Sequence, residues 1–365
     1  MIKHSDGKIG TREFAALTLI TIGLKQTDIT PSILFPVGAT ATWMMPIISG
    51  IIVTIIVLVL IALLKKYKDK NLIEVSYIIT GKFFGFLIGV SLFTFMLMTT
   101  VVYFRSHADI MGTLYFPKTP TPFLLFLFIL ISWFIANRGI EALGRTSWLT
   151  VPYIKLAFAG LILLVFTSLQ WRNIFPLAGP GIYTLAYEST RYSYLFAEII
   201  FFTILYPFVR SHKEFKVASL IGITIATLEL AAFYMVYLML YDFPSIEYIA
   251  FPFQQLARIV DLGPIFGNTE AFFIGFWAIA SITRLAIYLF LTTITFTSTI
   301  KIKEFEPLIL PFAGVVFFLA LLPIANSDSV LFFQNNILYH ANWYLLLGLP
   351  LLLWVVDQVK SGGEG

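Results

Sequence analysis

The sequence predicts an all-α polytopic membrane protein with ten transmembrane helices, and three observations carry that expectation. Hydrophobic residues make up 59% of the 365 and charged ones 12%, about half the charged share of a soluble domain, and mean hydropathy is +0.89. Apolar stretches recur at residues 12–37, 42–64, 84–103, 122–136, 148–169, 194–209, 217–241, 269–297, 307–324 and 342–356, most of them near the about 20 residues that a helix needs to cross hydrocarbon. With the N-terminus inside, sixteen of the 24 Lys and Arg residues fall on the cytoplasmic side and five, Arg105, Lys118, Arg172, Arg191 and Arg258, outside. The positive-inside rule favours that orientation, with both termini cytoplasmic, and a miscounted helix would scramble it. The net charge of +4 comes from these topology-setting residues, so membrane lipid is the implied partner and nucleic acid is not. With no Cys, there is neither a disulfide framework nor a thiolate metal site. The polar start at residues 1–10 has no small-residue cleavage site after the first apolar run, so that run is expected to remain in the mature chain.

The first stretch is broken in the middle. Helical pattern runs from Glu13 through Leu24, and Lys25-Gln26-Thr27-Asp28 then brings charge into the apolar run. Thr30 followed by Pro31 reads as an N-cap with proline at the first helical position, where the helix restarts. Lys25 and Asp28 would each cost about 2.5–3.5 kcal/mol at a helix centre in lipid, so they are expected to face a cavity. Unwound backbone beside a half-helix N-terminus is how many transporters hold a substrate carboxylate. The competing reading makes residues 12–24 one short span and 25–30 an external loop.

The sixth stretch is short and carries Tyr206-Pro207, which removes a backbone hydrogen bond within it. Breaks in the first and sixth helices occupy matching positions in two halves of five, about 12–169 and 194–356, within one domain of residues 1–365. That is the pattern of an inverted repeat with its site between the breaks. The Pro- and Gly-containing stretch 170–193 separates the halves and brings Tyr183, Tyr187, Glu188 and Tyr192 to the outer face. Residues 71–80 read either as an amphipathic helix on the inner membrane surface or as a solvated loop. Residues 244–262 read as an external helix over the bundle.

Several local patterns resemble the B subunits of spore germinant receptors, within the amino acid, polyamine and organocation permease superfamily. Phe116-Pro117-Lys118-Thr119-Pro120 before the fourth span is similar to that family's Leu-Pro-x-Thr-Pro. After that span, Gly139-Ile140-Glu141 followed by Arg145 resembles its Gly-Ile-Glu motif, and the segment 72–85, with Glu74 and Gly81-Lys82-Phe83-Phe84-Gly85, resembles the one ahead of its third span. The resemblance implies a ten-helix, 5+5 inverted-repeat fold of leucine-transporter type with helices 1 and 6 broken. It also implies a small-molecule germinant bound at mid-membrane, and assembly with an A subunit and a lipoprotein C subunit in the spore inner membrane. The first helix departs from the family by following Gly23 with Lys25, Gln26 and Asp28 rather than with Gly and apolar residues.

In such a fold, helices 1, 3, 6 and 8 line the ligand cavity. Counting to mid-depth places Thr21, Ile22, Gly23, Leu24 and Lys25 of helix 1, Met98 and Val102 of helix 3, Glu198, Phe201 and Phe202 of helix 6, and Thr283, Arg284 and Ile287 of helix 8 at one level. Exposed backbone near Gly23 and Thr203 could serve a ligand's charged groups, and the apolar residues could shape its side-chain pocket, although each could equally serve helix packing. Glu198 and Arg284 are expected to pair, because each alone would be an uncompensated charge in lipid; the alternative lets Glu198 snorkel outward. Glu229 has no evident partner. In proton-coupled members of the wider superfamily, a lysine on helix 5 replaces a coupling sodium ion, and Lys155 looks similar to it; plain snorkelling is the alternative. His4, His107, His212 and His340 lack metal spacing, and no cofactor or catalytic motif is present. The expected function is therefore non-enzymatic: a nutrient-sensing receptor subunit, with an amino acid as the ligand class. A proton-coupled amino-acid permease is the alternative, and a ligand-free scaffold a third.

Overall fold

A computed structural model describes residues 7–260, 269–322, 337 and 339–362. Among these residues regular structure is helical, with one isolated bridge between Ile9 and Val209. Among the described residues, six helical stretches are long and apolar enough to cross a membrane, beginning at Thr30, Leu72, Gly139, His212, Phe273 and Trp343, and two shorter apolar helices span Thr121–Ala136 and Glu306–Ala320. The chain is a polytopic integral membrane protein. The other two expected spans, 12–37 and 194–209, are interrupted segments.

Helix α1, Thr11–Gly23, has Phe14 through Gly23 buried without exception. A helix apolar on every face lies in a bundle's interior, and α1 is that centre. After it come a 3-10 turn, Leu24–Thr27, an extended residue at Asp28 (φ −104°), and α2, Thr30–Gly38. The restart falls where Thr30-Pro31 placed it, with Thr30 as the first helical residue rather than the cap. Helix α3, Met45–Tyr67, leads to α4, Leu72–Leu114, which bends at Gly81 (φ 85°). The Asn71 side chain and Glu74 form a capping box at its start, so residues 72–80 do form a helix. Its apolar face, Leu72, Ile73, Val75 and Ile79, is buried in the protein rather than laid on lipid.

Helices α5, Thr121–Ala136, and α6, Gly139–Val165, follow; α6 starts well before the expected residue 148. A surface helix α7, Ile182–Arg191, precedes the second interruption: a 3-10 turn at Tyr192–Phe196, α8 at Glu198–Phe202 and another 3-10 turn at Thr203–Phe208. The irregularity thus flanks α8 on both sides and is not confined to Pro207. Helix α9, His212–Tyr241, leads to two short outer pieces, Ser245–Tyr248 and α10, Pro252–Ile259, where one helix over 244–262 was expected; residues 261–262 lie outside the described residues. Of the expected apolar face, Ile246, Phe253, Leu256 and Val260 are buried and Ile249 is half-buried against the core. Then come α11, Thr269–Ile300, α12, Ile309–Ala320, and α13, Leu349–Gly362.

A clasp joins the two interrupted segments at the end bearing the N-terminus. Ile9 N donates to Phe208 O (2.8 Å), Arg210 N donates to Ile9 O (3.1 Å), and Glu214 at the start of α9 accepts from Thr11 N (3.0 Å). Further in, α1 and α9 approach so closely that a Cβ at Gly222 would lie 2.6 Å from Thr18 Cβ. Gly222→Leu is therefore expected to destabilise the protein by about 1–3 kcal/mol through overpacking. Gly160→Leu in α6, where a Cβ meets nothing within 4 Å, is expected to leave the melting temperature within about a degree. Equal melting temperatures for the two variants would defeat this expectation.

Candidate functional site

The unwound stretch after α1 needs partners for its freed backbone groups, because lipid supplies none. The Tyr237 hydroxyl donates to Gln26 O (2.8 Å) and Gln254 Nε2 to Thr27 O (2.9 Å). Trp277 Nε1 donates to Thr27 Oγ1 (3.1 Å). Side chains of α9, α10 and α11 thus converge on residues 26–27 and hold the break open.

The charges of the break are paired in an order the sequence did not suggest. Lys25, 2% exposed, reaches across to the other interruption: its Nζ donates to Leu195 O (2.6 Å) and Tyr194 O (3.5 Å) and to Glu198 Oε2 (2.8 Å). The opposite oxygen of Glu198 accepts from the Tyr288 hydroxyl (2.5 Å). Arg284, fully buried, donates through Nη1 to Asp28 Oδ2 (3.0 Å), and its guanidinium carbon lies 4.3 Å from the Tyr103 ring centre. The expected Glu198–Arg284 pair is therefore replaced by Lys25–Glu198 and Arg284–Asp28, because the α1 break carries one charge of each sign between them. Glu198 does not snorkel.

Asp28 also answers the question of the half-helix N-terminus. Its Oδ1 accepts from Thr30 N (2.8 Å) and Thr30 Oγ1 (2.5 Å), so the positive end of α2 is met by the chain's own carboxylate. A third pair joins Lys155 of α6 to Glu229 of α9, with Gln26 Nε2 donating to the second Glu229 oxygen (3.3 Å). Glu229 is thus partnered, and Lys155 points inward with its side chain one-third exposed.

Beside Lys25 and Glu198 lies a narrow cavity, lined also by Phe95, Met96, Thr99, Tyr103, Tyr194, Ala197 and Phe201. It has room for about one water molecule, so a larger ligand needs these walls to part. Phe201 stacks on Phe95 (5.8 Å, 11°) and closes one side. Of the residues placed at this level from sequence, Lys25, Glu198 and Phe201 line the cavity. Thr21 and Thr283 are buried and turned to their own helices, bonding Leu17 O and Ile279 O. Ile22, Leu24 and Ile287 are buried in the general core, and Phe202 packs edge-on to Phe14. A Cβ at Gly23 would meet the Lys155–Glu229 pair, and Arg284 stands against Tyr103 without lining the cavity.

Met98 and Val102 are corrections. Met98 is 40% exposed on the outside of the bundle and Val102 is half-buried against the core. The level on α4 was right and the face was wrong, since each residue step turns a helix by about 100°. A family model described as spore germination protein matches residues 19–329. The chain belongs to the spore germination protein family. Its relatives include spore germination protein YndE of Bacillus subtilis (strain 168), 23% identical over 331 residues that cover 88% of each chain. Spore germination protein B2 of the same organism is 22% identical over 337 residues, 90% of this chain and 89% of the relative. Spore germination protein KB is 23% identical over 273 residues, 71% and 73% respectively. In this spore germination protein the inward face of α4 is marked by polar side chains at helical spacing, Thr99, Tyr103 and His107, all buried. Polar residues in an apolar helix turn to the interior, and that signal locates the cavity wall that Met98 and Val102 missed.

Proposed function

We propose that this chain is the permease-type subunit of a germinant receptor in the spore inner membrane, binding a small nutrient in the cavity between its interrupted helices. In this reading it has ten transmembrane segments arranged as 5+5 inverted repeats of leucine-transporter type, about 12–169 and 194–356, with both termini cytoplasmic. Movement of the interrupted helices on binding is passed to an A subunit and a lipoprotein C subunit. Amino acids are the ligand class implied by resemblance.

One observation carries the reading: Lys25 ties the interruption of the first segment to the Leu195 carbonyl in the 3-10 turn of the second and to Glu198 just after it. Irregular backbone at membrane depth is tolerated where it serves a cavity, and the two irregular stretches meet beside one. Family membership and the germination relatives support the setting. The test fills the cavity. Ala197, on its wall, is replaced by Leu, and spores carrying Ala197→Leu are followed by loss of optical density with single amino acids, sugars, nucleosides and short carboxylates. At least a tenfold slower response to the active nutrient is expected at unchanged protein level; an unchanged response would defeat the proposal.

The Lys155–Glu229 pair beside Gly23 favours a second reading, a proton-coupled amino-acid permease, because it ties α6 to α9 next to the break, where the resemblance implies a coupling lysine. Robust uptake of radiolabelled amino acid by the isolated protein in liposomes would favour that permease over the receptor.

A further inference from the structure

A zwitterionic ligand held between broken helices needs two things: acceptors for its ammonium, which carbonyls at the break supply, and donors for its carboxylate, which a half-helix N-terminus supplies. In this chain both are engaged from within. The ammonium of Lys25 holds Leu195 O and Glu198, and the carboxylate of Asp28 holds Thr30 N and Thr30 Oγ1. Both side chains are at least 98% buried, they stand three residues apart in the same break, and their counter-charges, Glu198 and Arg284, complete two neutral pairs.

We propose that Lys25 and Asp28 act as a built-in zwitterion, the ammonium on the cavity wall and the carboxylate on the adjoining start of α2, so that the cavity serves a small uncharged polar solute rather than an α-amino acid. The inference rests on the cavity being the nutrient site and replaces the amino-acid class that resemblance implies. A second observation points to such a ligand. The Tyr194 hydroxyl is buried, belongs to a residue on the cavity wall, and has no hydrogen-bond partner among the described residues. A hydroxyl left unmatched in a protein interior is costly, and a ligand hydroxyl or carbonyl would satisfy it without adding charge. A further free cation or anion in the cavity would instead compete with a tethered group already at 2.6–2.8 Å from its partners, at the effective concentration that tethering confers.

The experiment removes the tethered ammonium and offers it back. Purified full-length protein and Lys25→Ala are melted with and without ethylammonium, with tetramethylammonium as a cation that lacks N–H donors, and with L-alanine. Ethylammonium is expected to raise the melting temperature of Lys25→Ala by about 2–4 °C. Tetramethylammonium is expected to have no effect on the variant, and neither ethylammonium nor L-alanine is expected to shift the unaltered protein. Should Lys25→Ala not survive extraction, adding ethylammonium to the extraction buffer makes the monodisperse yield the readout, with recovery again expected. Absence of rescue, or stabilisation of the unaltered protein by L-alanine or ethylammonium, overturns the inference. Spores that ignore every nutrient would defeat the receptor reading while leaving the rescue result standing, so the two failures are distinguishable.

Discussion

Arg284→Met is expected to destabilise the folded protein by about 3–5 kcal/mol, the range for removing one partner of a buried ion pair. The loss comes less from the vanished attraction than from Asp28, 1% exposed, which would keep its charge in the core with only Thr30 to bond. The double variant Asp28→Asn/Arg284→Met removes that stranded charge and is expected to recover at least half of the loss. Arg284→Lys should fall short of the parent too, because a lysine ammonium cannot replace a planar guanidinium packed on the Tyr103 ring. Thermal unfolding of the parent, Asp28→Asn, Arg284→Met and the double variant in one detergent gives the coupling energy directly. A double variant no more stable than Arg284→Met would show that Asp28 is not the group left exposed to the penalty.

Gly23→Val is expected to abolish the nutrient response of spores and to cost about 1–3 kcal/mol in stability. A Cβ at Gly23 would stand 2.9 Å from Glu229 Oε2 and 3.8 Å from Lys155 Nζ, so the larger side chain has to push the carboxylate off its partner. Glu229 cannot simply swing away, since Gln26 holds its other oxygen. The end of α1, the unwound stretch and α9 would then shift together. Gly23→Ala should fall between the parent and Gly23→Val, because Glu229 can give by a few tenths of an ångström. Normal germination of Gly23→Val spores, with the protein present at parental level, would sever this position from function.

The interruption in the first segment was legible because Lys25, Gln26, Thr27 and Asp28 break an apolar run and Thr30-Pro31 announces a restart. Depth was legible as well, since residues advance by about 1.5 Å along a helix and counting reaches the right level. Azimuth was harder: apolar Met98 and Val102 look like pocket-forming side chains, and only the polar periodicity of Thr99, Tyr103 and His107 reveals which face turns inward. The pairing of charges was not legible, because Lys25 and Asp28 sit in one short turn and their partners in α8 and α11 are chosen by tertiary geometry. Glu229 shows the same limit. Its partner lies on another helix, 74 positions away in the chain, and no local pattern joins them.

The Ile9–Val209 clasp and the Glu214–Thr11 bond bind the roots of both interrupted segments into one pivot. Neither segment can tilt alone without breaking Ile9 N–Phe208 O or Arg210 N–Ile9 O. Parting the walls at Lys25 would therefore swing the two like the blades of scissors about a common rivet, and the torque would emerge at Arg210 to Lys213, the handle that feeds α9.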